Sequence, residues 1–157
     1  GQQIIHLLGH DIVKDNKIDR KIVAKNVFNN PLLLHSLEQL IHPAVLEEIE
    51  KEYQTVKKQG KNSLFIAEIP LLFEIANSLN FDAVIVVWAT EKQCKQRFHH
   101  STGYDEEEFS KRMAFQIPIK EKIKRANYLI DNSGTKEETR RAAEALFIKL
   151  TNLQQSN

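Results

Sequence analysis

The chain has one cysteine and five glycines in 157 residues, and its 22 basic residues nearly cancel its 21 acidic ones. Each shortage excludes something. A lone thiol, Cys94, excludes an internal disulfide and fits a reducing compartment, so the expected location is the cytoplasm. Few glycines argue against a loop-rich protein. A formal net charge of +1 gives no bulk attraction to nucleic acid or to a membrane surface. No window approaches the roughly 18 apolar residues of a membrane span. The opening GQQIIHLLGHD has neither the basic start nor the long apolar run of a signal peptide.

With 41% apolar residues, the chain can build a core for one domain, or for a domain with a small appendage. Repeats and low-complexity tracts are absent from the sequence. The first third reads helical. Asp19 is placed to cap RKIVAKNVF, and Asn30 followed by Pro31 is a cap with proline at the first helical position. LLLHSLEQLI is expected to break at Pro43, with His42 pushed out of helical geometry by the proline after it. AVLEEIEKEYQTVKKQ carries acids early and lysines late, which suits the helix dipole, and Gly60 stops it.

The texture then changes. SLFIAEI reads as a short strand and PLLFEIANSL as a helix. FDAVIVVWA is the clearest strand, rich in valine and isoleucine, and NYLIDN a weaker one. Thr90 with Gln93, and Thr135 with Glu138, are spaced as capping boxes that open helices. Strands alternating with helices predict an α/β fold with a parallel sheet. Between Thr90 and Asn127 lies a helical excursion in which lysines and arginines outnumber acids, interrupted by YDEEEF and by a break at Pro118. A parallel sheet with an arginine-bearing helical flap over its carboxyl edge is a layout suited to phosphate transfer.

Several residues carry both a functional and a plain reading. In FIAEIPLLFE, Pro70 ends a strand where open α/β sheets bind ligands. Leu71, Leu72 and Phe73 then offer apolar surface beside Glu68 and Glu74, as a nucleotide-like ligand requires; the plain reading makes the three apolar residues core. His42 either holds substrate or serves the helix that begins at Pro43. Arg97 and Arg112 suit phosphate recognition through a rigid, permanently charged fork, or lie on solvated helix faces. Asn132 and Gly134 fit a nucleotide-binding turn or a simple strand-to-helix connection. His99 and His100 are adjacent, point apart on a helix and lack a partner four residues away, so no metal site is expected.

Taken in order, the His-Pro at positions 42–43, IPLLFE at 69–74, VIVVWATEKQCKQR at 84–97, KRMAFQ at 111–116 and ANYLIDNSG at 126–134 resemble the dephospho-coenzyme A kinases, as does KIDRKIVAKNVFNNP at 17–31. The resemblance runs over nearly the whole chain. It implies a P-loop kinase core with a parallel sheet, a helical substrate domain over residues 1–61, core segments at 62–90 and 127–157, and a helical lid at 91–126. It implies that ATP, with its Mg2+, phosphorylates the ribose 3′-hydroxyl of dephospho-coenzyme A, the last step of coenzyme A synthesis. By the same resemblance Arg97 and Arg112 stabilise charge from the lid. His42, Glu68, Pro70, Leu71, Leu72, Phe73 and Glu74 meet the substrate, and Asn132 and Gly134 meet the nucleotide. Glu68 stands where an aspartate is common, and Ser101 where the family usually has a second lid arginine.

A kinase of this class cradles phosphates in G-x-x-x-x-G-K-[ST], and that motif does not occur in these residues. In the family it lies on a first strand, between the strands matching SLFIAEI and FDAVIVVWA, and precedes the region that Gly1 aligns with. The resemblance therefore implies a parent protein whose amino-terminal strands are absent here, and a chain inactive by itself. A second reading is a relative without chemistry that binds a coenzyme A-like ligand or a protein partner.

Overall fold

The computed structural model describes residues 1–28, 30–60, 64–75 and 81–155. The chain packs as two compact units, residues 1–60 and 61–157.

In the first unit, helix α1 (Gln2–Leu8) and a 3-10 turn (His10–Ile12) lead into a two-stranded antiparallel hairpin, β1 (Val13–Lys14) and β2 (Lys17–Ile18). The hairpin has no counterpart in the sequence reading. Its turn residues Asp15 and Asn16 both have positive φ, 49° and 58°. Two successive left-handed residues are what a tight hairpin turn needs, and short polar side chains tolerate them. Asp19 then caps α2 (Arg20–Phe28), its carboxylate accepting the Lys21 and Ile22 amides at 2.8 and 3.3 Å. Asn30 caps α3 (Pro31–Gln59) by accepting the Leu33 amide, and Gly60 closes it in the left-handed conformation at φ 64°. The expected break at Pro43 does not occur. The proline lies inside α3, with His42 in helical geometry before it. A proline removes one intrahelical donor, and a helix of 29 residues has many others to carry it through. Ile12, Val27 and Leu37 form the buried centre of this unit.

The second unit opens on residues 64–69, expected as a strand. Among the described residues they form no ladder, and Ile66 is exposed. An apolar run becomes a strand only when another strand accepts its backbone bonds, and no described strand does so here. Helix α4 (Leu72–Ile75) follows Pro70; the remainder of the predicted helix lies outside the described residues. Strands β3 (Ile85–Trp88) and β4 (Tyr128–Asp131) pair in parallel, with Ile85 opposite Tyr128 and Trp88 opposite Asp131. Their connection is the helical excursion α5 (Glu91–Thr102), α6 (Glu106–Met113) and α7 (Ile119–Arg125), and α8 (Lys136–Gln155) follows β4. Both predicted capping boxes form, at Thr90 with Gln93 and at Thr135 with Glu138. Val86, Phe109 and Ile130 are the buried apolar residues of this unit. This small parallel sheet flanked by helices is the mixed α/β architecture expected.

Two caps make stability depend on pH. The amides of Lys21 and Ile22 hold the Asp19 carboxyl below its ordinary value, with Lys14 adding to the effect. The Thr135 amide and hydroxyl do the same for Glu138. A depressed carboxyl contributes stability that is complete above the unfolded pKa and is lost as pH falls through the folded one. Thermal melting is expected to be flat from neutral pH down to the ordinary carboxyl range, near about pH 4, and to fall below it. Asp19→Asn together with Glu138→Gln should flatten that fall; an unchanged acid limb would contradict the assignment.

Candidate functional site

Parallel strands bring their carboxyl ends to one edge. Here that edge is Trp88 and Asp131, from which α5 departs and α8 begins after a short turn. The turn is tightly ordered. Its Asn132 amide donates to the Trp88 carbonyl at 2.7 Å, and the Ser133 amide to the Asp131 carboxylate at 2.7 Å. The Asn132 side-chain oxygen accepts from the Thr139 hydroxyl in α8 at 3.0 Å. A Cβ at Gly134 would meet the Glu138 carboxylate, the movable end of a side chain that reaches back to cap α8, so a larger residue there would displace that cap rather than be barred by backbone.

Arg97 reaches this turn from α5. Its Nη2 donates to the Asn132 carbonyl at 2.9 Å, and the residue is otherwise exposed. Thus Arg97 and Asn132, singled out separately from sequence, meet at one sheet edge, and Gly134 lies two residues further along the same turn. Gln93, one helical turn before Arg97, also joins them, its side-chain amide donating to the Ser133 carbonyl. Sequence reasoning saw Gln93 only as a capping partner, because the second bond spans 40 positions.

Arg112 engages a different set. Its Nε meets Glu108 at 2.9 Å, and its guanidinium lies 5.3 Å from the Phe98 ring centre and 5.0 Å from that of Tyr104. Phe98 also packs edge-on against buried Phe109. These contacts make a small cluster joining α5 to α6, reinforced by Lys95, which pairs with Glu91 of α5 and Glu106 of α6. Both acids hold the Lys95 ammonium above its ordinary pKa, Glu91 the more strongly. Ser101, standing where a second arginine was expected, donates to the Phe98 carbonyl in its own helix.

The residues around Pro70 divide. Glu68 and Pro70 are exposed, whereas Leu71, Leu72, Phe73 and Glu74 are half-buried. Phe73 lies under Arg125, 5.9 Å from ring centre to guanidinium. Glu74 turns toward the start of α7. One carboxylate oxygen accepts the Ile117 amide at 2.9 Å and the Lys122 ammonium at 2.8 Å, with the two side chains only 14% and 12% exposed. The last two residues of the substrate-facing candidates therefore hold the end of the excursion against α4. His42 belongs to the first unit, half-buried within α3. That unit also carries a shallow 360 Å³ hollow between α1 and α3, lined by Gln2, Gln3, His6, Leu7 and Leu40 and by none of the candidates. Among the described residues, no three metal-ligating side chains cluster, and no helix is long and apolar enough to cross a membrane.

A family model described as dephospho-CoA kinase matches residues 2–138. A dephospho-CoA kinase of Chlamydia felis is 43% identical over 150 residues, covering 96% of this chain and 74% of that protein. One of Protochlamydia amoebophila is 42% identical over 151 residues, covering 95% and 74%. Among solved structures, TT1252 from Thermus thermophilus superposes with a TM-score of 0.73 at 30% identity, covering 95% of this chain and 75% of that one. A dephospho-CoA kinase from Campylobacter jejuni superposes at 0.65 and 29%, covering 96% and 75%.

The Glu74–Lys122 pair makes a stability test. Lys122→Met leaves a buried carboxylate with only an amide to meet it, and is expected to destabilise by about 2–4 kcal/mol in denaturant unfolding. Adding Glu74→Gln should recover much of that loss. A loss below about 0.5 kcal/mol for Lys122→Met would mean the pair behaves as an exposed one.

Proposed function

The chain belongs to the dephospho-CoA kinase family, and from that premise we propose that it serves the transfer of the γ-phosphoryl group of Mg-ATP to the ribose 3′-hydroxyl of dephospho-coenzyme A. The observation that carries this reading is the meeting of Arg97 with the Asn132–Gly134 turn at the carboxyl edge of β3 and β4. Open α/β sheets bind ligands at that edge. An arginine there presents a forked cation to phosphate oxygens, and the turn offers backbone groups to a base. ATP with its Mg2+ and dephospho-coenzyme A are the substrates in this reading.

Residues 1–61 act as the substrate domain, 62–90 with 127–157 as the core, and 91–126 as the lid. The acceptor substrate is assigned His42 from the first unit, and Glu68, Pro70, Leu71, Leu72 and Phe73 from the second, each by the family resemblance. Glu74 acts there through the lid, since its carboxylate faces Ile117 and Lys122. Arg97 stabilises charge that develops on the transferred group, and Arg112 holds α6 so that the lid closes as one piece. Catalysis is then positioning and charge stabilisation, with closure excluding water. The setting is the cytoplasm.

The phosphate cradle is not among these 157 residues, since they contain no G-x-x-x-x-G-K-[ST]. In this reading it comes from other residues of the gene's product, carried on a strand that pairs with the sheet. The 157 residues alone are expected to give no turnover with Mg-ATP and dephospho-coenzyme A, while the gene's complete product turns over. In that product, Arg97→Ala should lower kcat/KM by roughly 100-fold or more. Ordinary kinase rates from the 157 residues would overturn the assignment of the cradle. Binding of dephospho-coenzyme A by the complete product without any phosphorylation would favour the non-catalytic reading, which Ser101 in place of a lid arginine makes worth testing.

A further inference from the structure

We propose that Gln93 is a positioning residue for the nucleotide, setting the β4–α8 turn through an amide whose two ends do different work. The inference rests on the reading above, in which that turn meets ATP.

The oxygen end of the amide faces the start of its own helix. Gln93 Oε1 accepts from the Thr90 hydroxyl at 2.6 Å and from the Thr90 amide at 3.3 Å, while the Gln93 amide donates to the Thr90 hydroxyl at 3.4 Å. These bonds complete a capping box, and a glutamate would complete it equally well. The nitrogen end leaves the helix and donates to the Ser133 carbonyl. A glutamate carboxylate has no hydrogen to give there.

The bond falls in a particular place. Arg97, four residues on and on the same face of α5, donates to the carbonyl of Asn132, the residue before Ser133. Two successive carbonyls of the turn are thus held by two donors from one helix. Gln93 itself is part-buried, so its bond competes less with water than one on an open surface. The Asn132 amide is fixed to β3 at the Trp88 carbonyl, and its side chain to α8 at Thr139. The turn therefore takes its shape from β3, α5 and α8 together, and Gln93 is the one of these contacts that also fixes where α5 begins.

Because the amide joins the first helix of the lid to the turn, its loss should act on the nucleotide and leave the acceptor alone. Gln93→Glu keeps the cap and removes the donor, replacing it with a carboxylate against a carbonyl. In the gene's complete product, this substitution is expected to raise KM for ATP, and Kd for ATP by calorimetry, about tenfold, the equivalent of ~1.4 kcal/mol. KM for dephospho-coenzyme A should stay within about twofold, and the melting temperature should fall by no more than a few degrees, the cost of one hydrogen bond, since the cap survives. A shared rise in both KM values with a larger fall in melting would mean a merely structural role and overturn the inference. So would unchanged ATP binding. A wild-type protein that binds ATP yet phosphorylates no dephospho-coenzyme A would sink the functional reading instead, leaving Gln93 to be judged by the binding comparison. A wild-type protein that binds no ATP would overturn both.

Discussion

The second unit depends on one parallel ladder. Strands β3 and β4 are far apart in sequence, and their pairing closes a crossover that contains α5, α6 and α7. The ladder is continued at both ends by irregular bonds. Before the strands, the Val84 carbonyl accepts the amides of Asn127 and Tyr128, and the Val84 amide donates to the Asn127 side chain. Beyond them, the Asn132 amide reaches the Trp88 carbonyl. Parallel pairing sends both chains to the same edge, so the turn after β4 and the helix after β3 must emerge side by side. The contacts of Gln93 and Arg97 with Ser133 and Asn132 follow from that geometry.

The ladder is incompletely covered. Val86 is 8% exposed, but its register partner Leu129 is 49% exposed; Ile130 is 8% exposed, but Val87 beside it is 55% exposed. Phe147 and Ile148 of α8 are also more than half exposed. Parallel sheets are ordinarily covered on both faces, and a two-stranded sheet is marginal by itself. Exposed apolar side chains lie on both faces, and residues 64–69 join no ladder among the described residues.

Local signals in the sequence were legible and nonlocal ones were not. Asp19, Asn30, Thr90 and Thr135 cap the helices they were expected to cap, because a cap is decided by a few neighbouring residues. The valine-rich strand and its weaker partner formed for the same reason, each carrying its own pattern. Residues 64–69 have equally apolar composition, but a ladder is a property of two segments. Pro43 misled because the proline rules are local, a steric restriction on His42 and one lost intrahelical donor, whereas helix α3 is sustained by its whole length. The hairpin at Asp15–Asn16 left a signal, two polar residues tolerant of positive φ, too short to read without the structure. At the site, residue type indicated Arg97, Asn132 and Gly134 but could not reveal that Arg97 reaches the Asn132 carbonyl. Nor could it show that Glu74 faces Lys122, since its partners lie more than 40 positions on.

The contacts also divide the excursion mechanically. Its first helix is tied to the core by Gln93 and Arg97, and its last by Glu74, which takes both the Ile117 amide and the Lys122 ammonium. The middle helix, α6, is bound to α5 through the Arg112, Phe98, Tyr104 and Phe109 cluster and through the Lys95 bridge between Glu91 and Glu106. These ties make α5 and α6 one body. In the proposed reading, because the bond from Arg97 crosses from this body to the turn, a phosphate that drew Arg97 toward itself would release the Asn132 carbonyl, and the Gln93 bond would remain to hold the turn in place. In the proposed reading the two donors are therefore not redundant: Arg97 would be exchanged for the ligand, and Gln93 would keep the turn's shape while that exchange occurs.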